Sequence, residues 1–256
     1  MFANIQHLTT KKRDLIQADY GYMACDIILL SECHMNLSRI NQFKIDGYKL
    51  IKATGNKKEK SSNGQLCYWR ESELQNGVIK FMAHNADQET DNYDEEYNKN
   101  FNKKNNPFHK EMVEISMYEY TQIKNQKKIL LIQVYVHPDN SDSKKLDYFI
   151  SSFNKFATKH LNNVNEQTSI MIFGDFNIDF NNTDIMTKWQ NNVGNNFNLK
   201  PLLNDKCTRP KPLDIINKCR QLDWVFSNIH KGVKTMPYCS WYSDHLPLYT
   251  KIKYHK

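Results

Sequence analysis

Residues 169–177 read SIMIFGDFN: an apolar run, Ile170–Phe173, ends on Gly174 and passes straight into Asp175, Phe176 and Asn177. A short apolar run with no polar alternation, stopped by turn-forming polar residues, is the pattern of a strand buried on both faces. The same pattern recurs in DIILLSE (26–32) and KKILLIQVYV (127–136). FANIQHL (2–8), GYKLI (47–51), GQLCYW (64–69), LDWVFSN (222–228) and LPLYTKIKY (246–254) read as further strands, and EMVEISMYEY (111–120) alternates in part. Helices fall between them. One is expected over 11–24, packing through Leu15, Ile16 and Tyr20. A second covers 144–161 with the stripe Leu146, Phe149, Ile150, Phe153, Phe156, Ala157 and Leu161. A short third is expected near 183–193. This alternation predicts an α/β protein.

The chain has 256 residues, 39% hydrophobic and 12% aromatic, enough for a substantial core. No repeat and no Pro/Gly-rich linker divides it, so a single domain over 1–256 is expected. The stretch 84–110 is polar, Asn-rich and without period, and reads as a flexible surface insertion. The longest apolar runs are too short to cross a bilayer, and MFANIQHLTTKKR lacks the layout of a signal peptide. Six cysteines without a CxxC pair read as reduced thiols in or near the core. No membrane partner is expected. The expected location is intracellular, the nucleus foremost. The net charge is +7, and residues 181–256 carry 12 Lys and Arg against 5 Asp and Glu, so the excess sits there. A basic C-terminal third suits a polyanionic partner.

Polar residues gather where the strands stop: Glu32, Tyr135, Asp175 with Asn177, Asp223, and Asp244 with His245. Singly, each has an ordinary explanation, because an acid after a strand commonly caps a turn. Together, the ordered series FGDFN, LDWVF and SDHLP, preceded by SE after an early strand and an Asn in the first, resembles the endonuclease/exonuclease/phosphatase (DNase I-like) family. Within it, the chain is most similar to abasic-site and non-LTR retrotransposon endonucleases. The resemblance spans Asn4 to His245. It implies a four-layer α/β sandwich, with two central mixed β-sheets flanked by helices, and divalent-metal hydrolysis of a phosphate ester. It also implies roles. Glu32 is the principal metal ligand, with Asp244 and Asn4 beside the metal. Asp175 aligns or deprotonates the attacking water. Asn177 and Tyr135 contact the phosphate. Asp223 orients His245, which meets the scissile phosphate. The implied metal is Mg²⁺, with Mn²⁺ as a substitute. Gln6 stands where many members carry Asp or Asn. His137, two residues past Tyr135, is a secondary candidate.

The favoured substrate is DNA, cut to leave 3′-hydroxyl and 5′-phosphate ends. CTRPKP followed by QLDWVFSN resembles the retroelement type, which makes Arg209, Lys211, Lys218 and Arg220 backbone-contact candidates. RNA or poly(A) exonucleolysis, an inositol or lipid phosphatase, and a binding-only protein are the alternatives. A retroelement origin would place the chain in a polyprotein beside a reverse transcriptase or helicase. Trp224 should point away from Asp223 into the core, since neighbours on a strand face opposite sides. Trp241 also flanks the site in sequence, and core packing is favoured over base stacking for both.

Overall fold

Backbone pairing arranges the strands in two six-stranded sheets. A computed structural model describes residues 1–34, 37–54, 64–85, 112–162, 164, 168–203, 206–209, 220–240 and 243–253. The second sheet in chain order is built from β5 (Gly77–His84), β6 (Val113–Gln122), β7 (Lys128–Val136), β8 (Ser169–Asp175), β9 (Lys200–Pro201) and β10 (Asp223–Ser227), ordered β5-β6-β7-β8-β10-β9. The first is built from β1 (Phe2–Asn4), β2 (Ile27–Ser31), β3 (Tyr48–Ala53), β4 (Leu66–Arg70), β11 (Val233–Pro237) and β12 (Leu248–Ile252), ordered β11-β12-β1-β2-β4-β3. Each sheet is mixed: β1 runs parallel to β2 and β7 to β8, while β1 is antiparallel to β12 and β8 to β10.

Alternation along β7 explains the layering. Ile129 and Leu131 join Phe2, Leu29, Met171, Phe173 and Val225 in a core between the sheets. Leu130, Ile132, Val134 and Val136 face the other way, onto helix α3 (Asp142–His160) and helix α4 (Thr183–Trp189). On α3 the expected stripe is buried through Leu146, Phe149, Phe153 and Phe156. Full burial of each such Phe contributes about 1.5–3 kcal/mol. Helices α1 (Thr10–Ala18) and α2 (Tyr20–Met23) cover the outside of the first sheet with Ile16 and Tyr22. Helix, sheet, sheet and helix make the expected four layers. Among the described residues no helix is long and apolar enough to cross a membrane.

Several boundaries differ from expectation. The helix expected over 11–24 breaks at Asp19, whose carboxylate accepts from the Gly21 and Tyr22 N–H groups at 2.8 and 3.3 Å and starts α2 afresh. The helix expected over 183–193 is regular only to Trp189 and continues as a wider turn through Gly194. Strands β5, β9 and β11 were not anticipated. All three lie at sheet edges, and Val78, Met82 and Met236 are exposed, which blurs the apolar signal. Strand β5 also extends through His84, where the insertion was expected to begin; 86–110 lie outside the described residues. Cys25, Cys33, Cys67 and Cys239 are free, but Cys207 is disulfide-bonded, against the all-reduced expectation. Its partner is not among the described residues. Bridging depends on Cα proximity in the fold, which sequence spacing does not reveal.

Candidate active site

Toward one end of the sandwich, the face between the sheets turns from apolar to polar. On β7, Ile129 and Leu131 give way to Gln133 and Tyr135; on β8, Met171 and Phe173 give way to Asp175. Four adjacent strands carry one row in register: Glu114 opposite Tyr135, Tyr135 opposite Asp175, and Asp175 opposite Asp223. Buried polar groups are tolerated only when paired, and here they pair across the two sheets. Asn4 Nδ2 donates to Asp175 Oδ2 at 2.7 Å, and Gln133 Nε2 to the Leu30 carbonyl at 2.7 Å. The Tyr135 hydroxyl donates to Glu32 Oε1. Glu114 accepts from Thr54 Oγ1 at 2.6 Å and the Gly64 N–H at 3.1 Å.

His245 sits in the middle of these carboxylates, almost fully buried. Its Nδ1 lies 2.8 Å from Asp223 Oδ2, while Nε2 is 3.9 Å from Asp175 Oδ2 and 3.8 Å from Asp244 Oδ1. Burial by itself pulls the imidazole pKa down. Asp223 and Asp175, helped by Asp244, outweigh it and raise the value to about 10, so His245 is an imidazolium at neutral pH. Asp175 moves the other way from an ordinary carboxyl. Burial pushes it up, His245 pulls it back, and Asp223 and Glu32 add repulsion, for a net rise to about 7.

Local backbone aims these groups. Glu32 and Asn177 each adopt a left-handed φ of 51° just past a strand end, a conformation that turns the chain sharply. Asn177 donates its N–H to Asp175 Oδ1 at 2.9 Å and its amide to the Val136 carbonyl at 2.8 Å and Asp175 Oδ2 at 3.3 Å. From α3, Lys145 reaches under this turn to the Asn177 carbonyl. Lys12 on α1 donates to the Ile5 and Gln6 carbonyls at 2.6 and 2.7 Å, pinning the segment after Asn4. Its pKa is lowered by burial, against attraction from Asp244 and Glu32.

The fold thus brings together Asn4, Glu32, Tyr135, Asp175, Asn177, Asp223, Asp244 and His245. Asn4 and Asn177 are both committed to Asp175, and the Asn4 amide oxygen also accepts from the Gln6 N–H at 3.0 Å. Asp175, Asp223 and His245 place ligand atoms within 4.8 Å of one another, but His245 as an imidazolium has no lone pair for a cation, which leaves the carboxylates as the donors. The Oδ1 atoms of Asp223 and Asp244 are buried without a hydrogen-bond partner. Anionic oxygens with open lone pairs fit a hard divalent cation. Of the basic candidates, Arg209 pairs with Asp244 and Arg220 with Asp142 at 2.7 Å; Lys211, Lys218 and Trp241 lie outside the described residues. Trp224 is fully buried and stacks on Phe226. His137 pairs with Asp139 at 3.3 Å. Sequence reasoning missed Glu114, Lys12 and Lys145. The first was legible only as an acid interrupting the alternation of EMVEISM, and the two lysines carried no signal.

No protein-family model matches the sequence, and comparison with curated proteins gives no match. Solved structures do match. A Bacteroides thetaiotaomicron mannosyl-6-phosphatase aligns with 14% identity over 99% of this chain and 98% of its own, at a TM-score of 0.63. An endonuclease/exonuclease/phosphatase family protein from the same organism aligns with 13% identity over 98% and 94%, at 0.60. The endonuclease domain of TRAS1, a telomere-specific non-LTR retrotransposon, aligns with 12% identity over 100% and 98%, at 0.59. The chain has the DNase I-like fold. In a DNase I-like sandwich the polar end between the sheets is a natural place for chemistry, because loops and strand ends there carry side chains on a rigid base.

Proposed function

We propose that the protein is a divalent-metal-dependent phosphodiesterase of the endonuclease/exonuclease/phosphatase superfamily. Its proposed substrate is DNA, nicked to leave 3′-hydroxyl and 5′-phosphate ends. The observation that carries the reading is the buried chain Asp223–His245–Asp175, a histidine held between two carboxylates. Hydrolysis of a phosphodiester needs a base for water and fixed positive charge for the phosphoryl oxygens. Asp175, lifted to about 7, can take a proton from water near neutral pH. Asn4 and Asn177 fix its two oxygens. Asp223 accepts the Nδ1 proton and fixes the ring's orientation, leaving the Nε2 proton to donate to a phosphoryl oxygen. Glu32 and Asp244 would hold the cation with Asn4 beside it, Mg²⁺ being proposed and Mn²⁺ its substitute. When bound, it supplies charge neutralisation of the phosphate and leaving oxygen.

The choice of DNA rests on the basic C-terminal third and on likeness to the TRAS1 endonuclease domain. A nuclear role within a retroelement polyprotein is part of the same proposal. Likeness to the mannosyl-6-phosphatase supports a second reading, a phosphomonoesterase. Supercoiled plasmid, with and without an abasic site, is incubated in Mg²⁺ or EDTA beside the Asp175→Ala variant. Mg²⁺-dependent nicking that the variant lacks by several orders of magnitude supports the nuclease. Turnover of sugar or inositol phosphates without nicking selects the phosphatase.

A further inference from the structure

We infer that Arg209 is a positioning residue, which aims the Asp244 carboxylate into the site, rather than a contact to the nucleic-acid backbone. The inference rests on the proposed function and deepens it. Nε–H donates to Asp244 Oδ2 at 3.0 Å, and Nη2 lies 2.9 Å from the same oxygen as an ion pair. The other oxygen, Oδ1, has no hydrogen-bond partner, is shut off from solvent and lies 3.8 Å from His245 Nε2. One oxygen is therefore gripped from outside and the other is presented inward. A charge-assisted hydrogen bond reinforced by the second guanidinium nitrogen pins Oδ2, and with it the direction in which Oδ1 faces.

Arg209 can aim Asp244 because its own backbone is fixed. Its N–H bonds the Arg220 carbonyl at 3.2 Å, beside the strand that begins at Asp223. The preceding Thr208 is buried and ties down both sides of the site. Its hydroxyl accepts from the Leu222 and Asp223 N–H groups at 3.0 Å each, and its carbonyl accepts from the Leu246 N–H at 2.6 Å. The Thr208–Arg209 pair thus joins the segment bearing Asp223 to the segment bearing Asp244 and His245.

The test compares wild type, Arg209→Gln, Arg209→Lys and Asp244→Asn as full chains. Each is measured for plasmid nicking, for DNA binding against salt, and for Mn²⁺ binding without DNA by electron paramagnetic resonance. The side chain of Arg209 is 39% exposed, so these variants are expected to fold. Arg209→Gln should lower kcat about 10- to 100-fold at unchanged KM and weaken Mn²⁺ binding about 10-fold, the range seen when a group orienting a metal ligand is removed. Arg209→Lys should recover part of both. In the Asp244→Asn background, Arg209→Gln should change nothing further. The inference is overturned if Arg209→Gln leaves kcat and Mn²⁺ affinity intact, weakens DNA binding and flattens its salt dependence by about one counterion, the signature of a lost phosphate contact. If wild type nicks no DNA, the functional reading fails, and Mn²⁺ binding still decides the role of Arg209.

Discussion

Replacing Asp223 by Asn should uncouple His245 from its charge. The two side chains are 1–2% exposed and meet at 2.8 Å, with the imidazole pKa raised to about 10. Asn keeps the shape and a hydrogen-bond partner but removes the nearest negative charge, leaving Asp175 at 3.9 Å and Asp244 at 3.8 Å as the remaining counter-charges. Breaking one side of a buried pair costs about 3–5 kcal/mol when the other stays charged, so His245 should instead lose its proton within the neutral range. The sign follows from linkage. A pKa raised on folding contributes stability that is fully present below about 6.5, the unfolded value, and is lost as pH rises toward 10. Wild type should therefore lose urea resistance from this group between those limits, while Asp223→Asn should be less stable at neutral pH and flatter above it. The direct assay is histidine ring NMR against pH on the metal-free protein. The resonance assigned by its absence in His245→Ala should stay imidazolium beyond pH 8 in wild type and titrate below that in Asp223→Asn. If it titrates identically in both, Asp223 does not set the charge of His245, and the proton donor assigned above is wrong.

Other perturbations probe the frame. A Cβ at Gly174 would lie 2.7 Å from the Val134 carbonyl and 2.9 Å from Phe176 and the Val134 side chain. Gly174→Ala should therefore cost about 1–3 kcal/mol in chemical denaturation; a change under 0.5 kcal/mol would mean that β7 and β8 separate freely. Burial raises the Asp142 pKa, but Lys145, the Asp179 N–H and Arg220 together hold it below the ordinary value. Its contribution is therefore present above about pH 4 and lost as pH falls, so Asp142→Asn should destabilise at pH 7 and have little effect near pH 2. Equal effects at both would refute the ionic account. Lys12→Met should release the Ile5 and Gln6 carbonyls, lower kcat about tenfold and speed amide exchange over residues 4–8, with KM unchanged. Unaltered exchange would show that Lys12 does not hold Asn4.

Much of this molecule was legible from strand ends. Runs such as SIMIFGDFN and KKILLIQVYV announce central strands because burial on both faces removes polar residues, and chemistry-bearing side chains stand out where the runs stop. The edge strands β5, β9 and β11 were not legible, since a strand with one wet face and little packing leaves a weak pattern. Asp19 shows a second limit: a polar residue inside an apparent helix gave no sign that it would cap a new one.

The residue series itself determined the α/β alternation and the end-of-strand candidates from Glu32 to His245, because periodicity and end-of-strand placement are local properties; the two-sheet sandwich and Asn4 were implied only by the family resemblance. Which of those groups share a charge was decided only by tertiary structure. Asn4 and Asp175 are 171 residues apart and bond across the sheets, and Arg209 meets Asp244 rather than solvent alone. The paired carboxyl and imidazole shifts arise from the same cause. Desolvation and charge proximity depend on distances between strands remote in sequence, and no spacing along the chain encodes them.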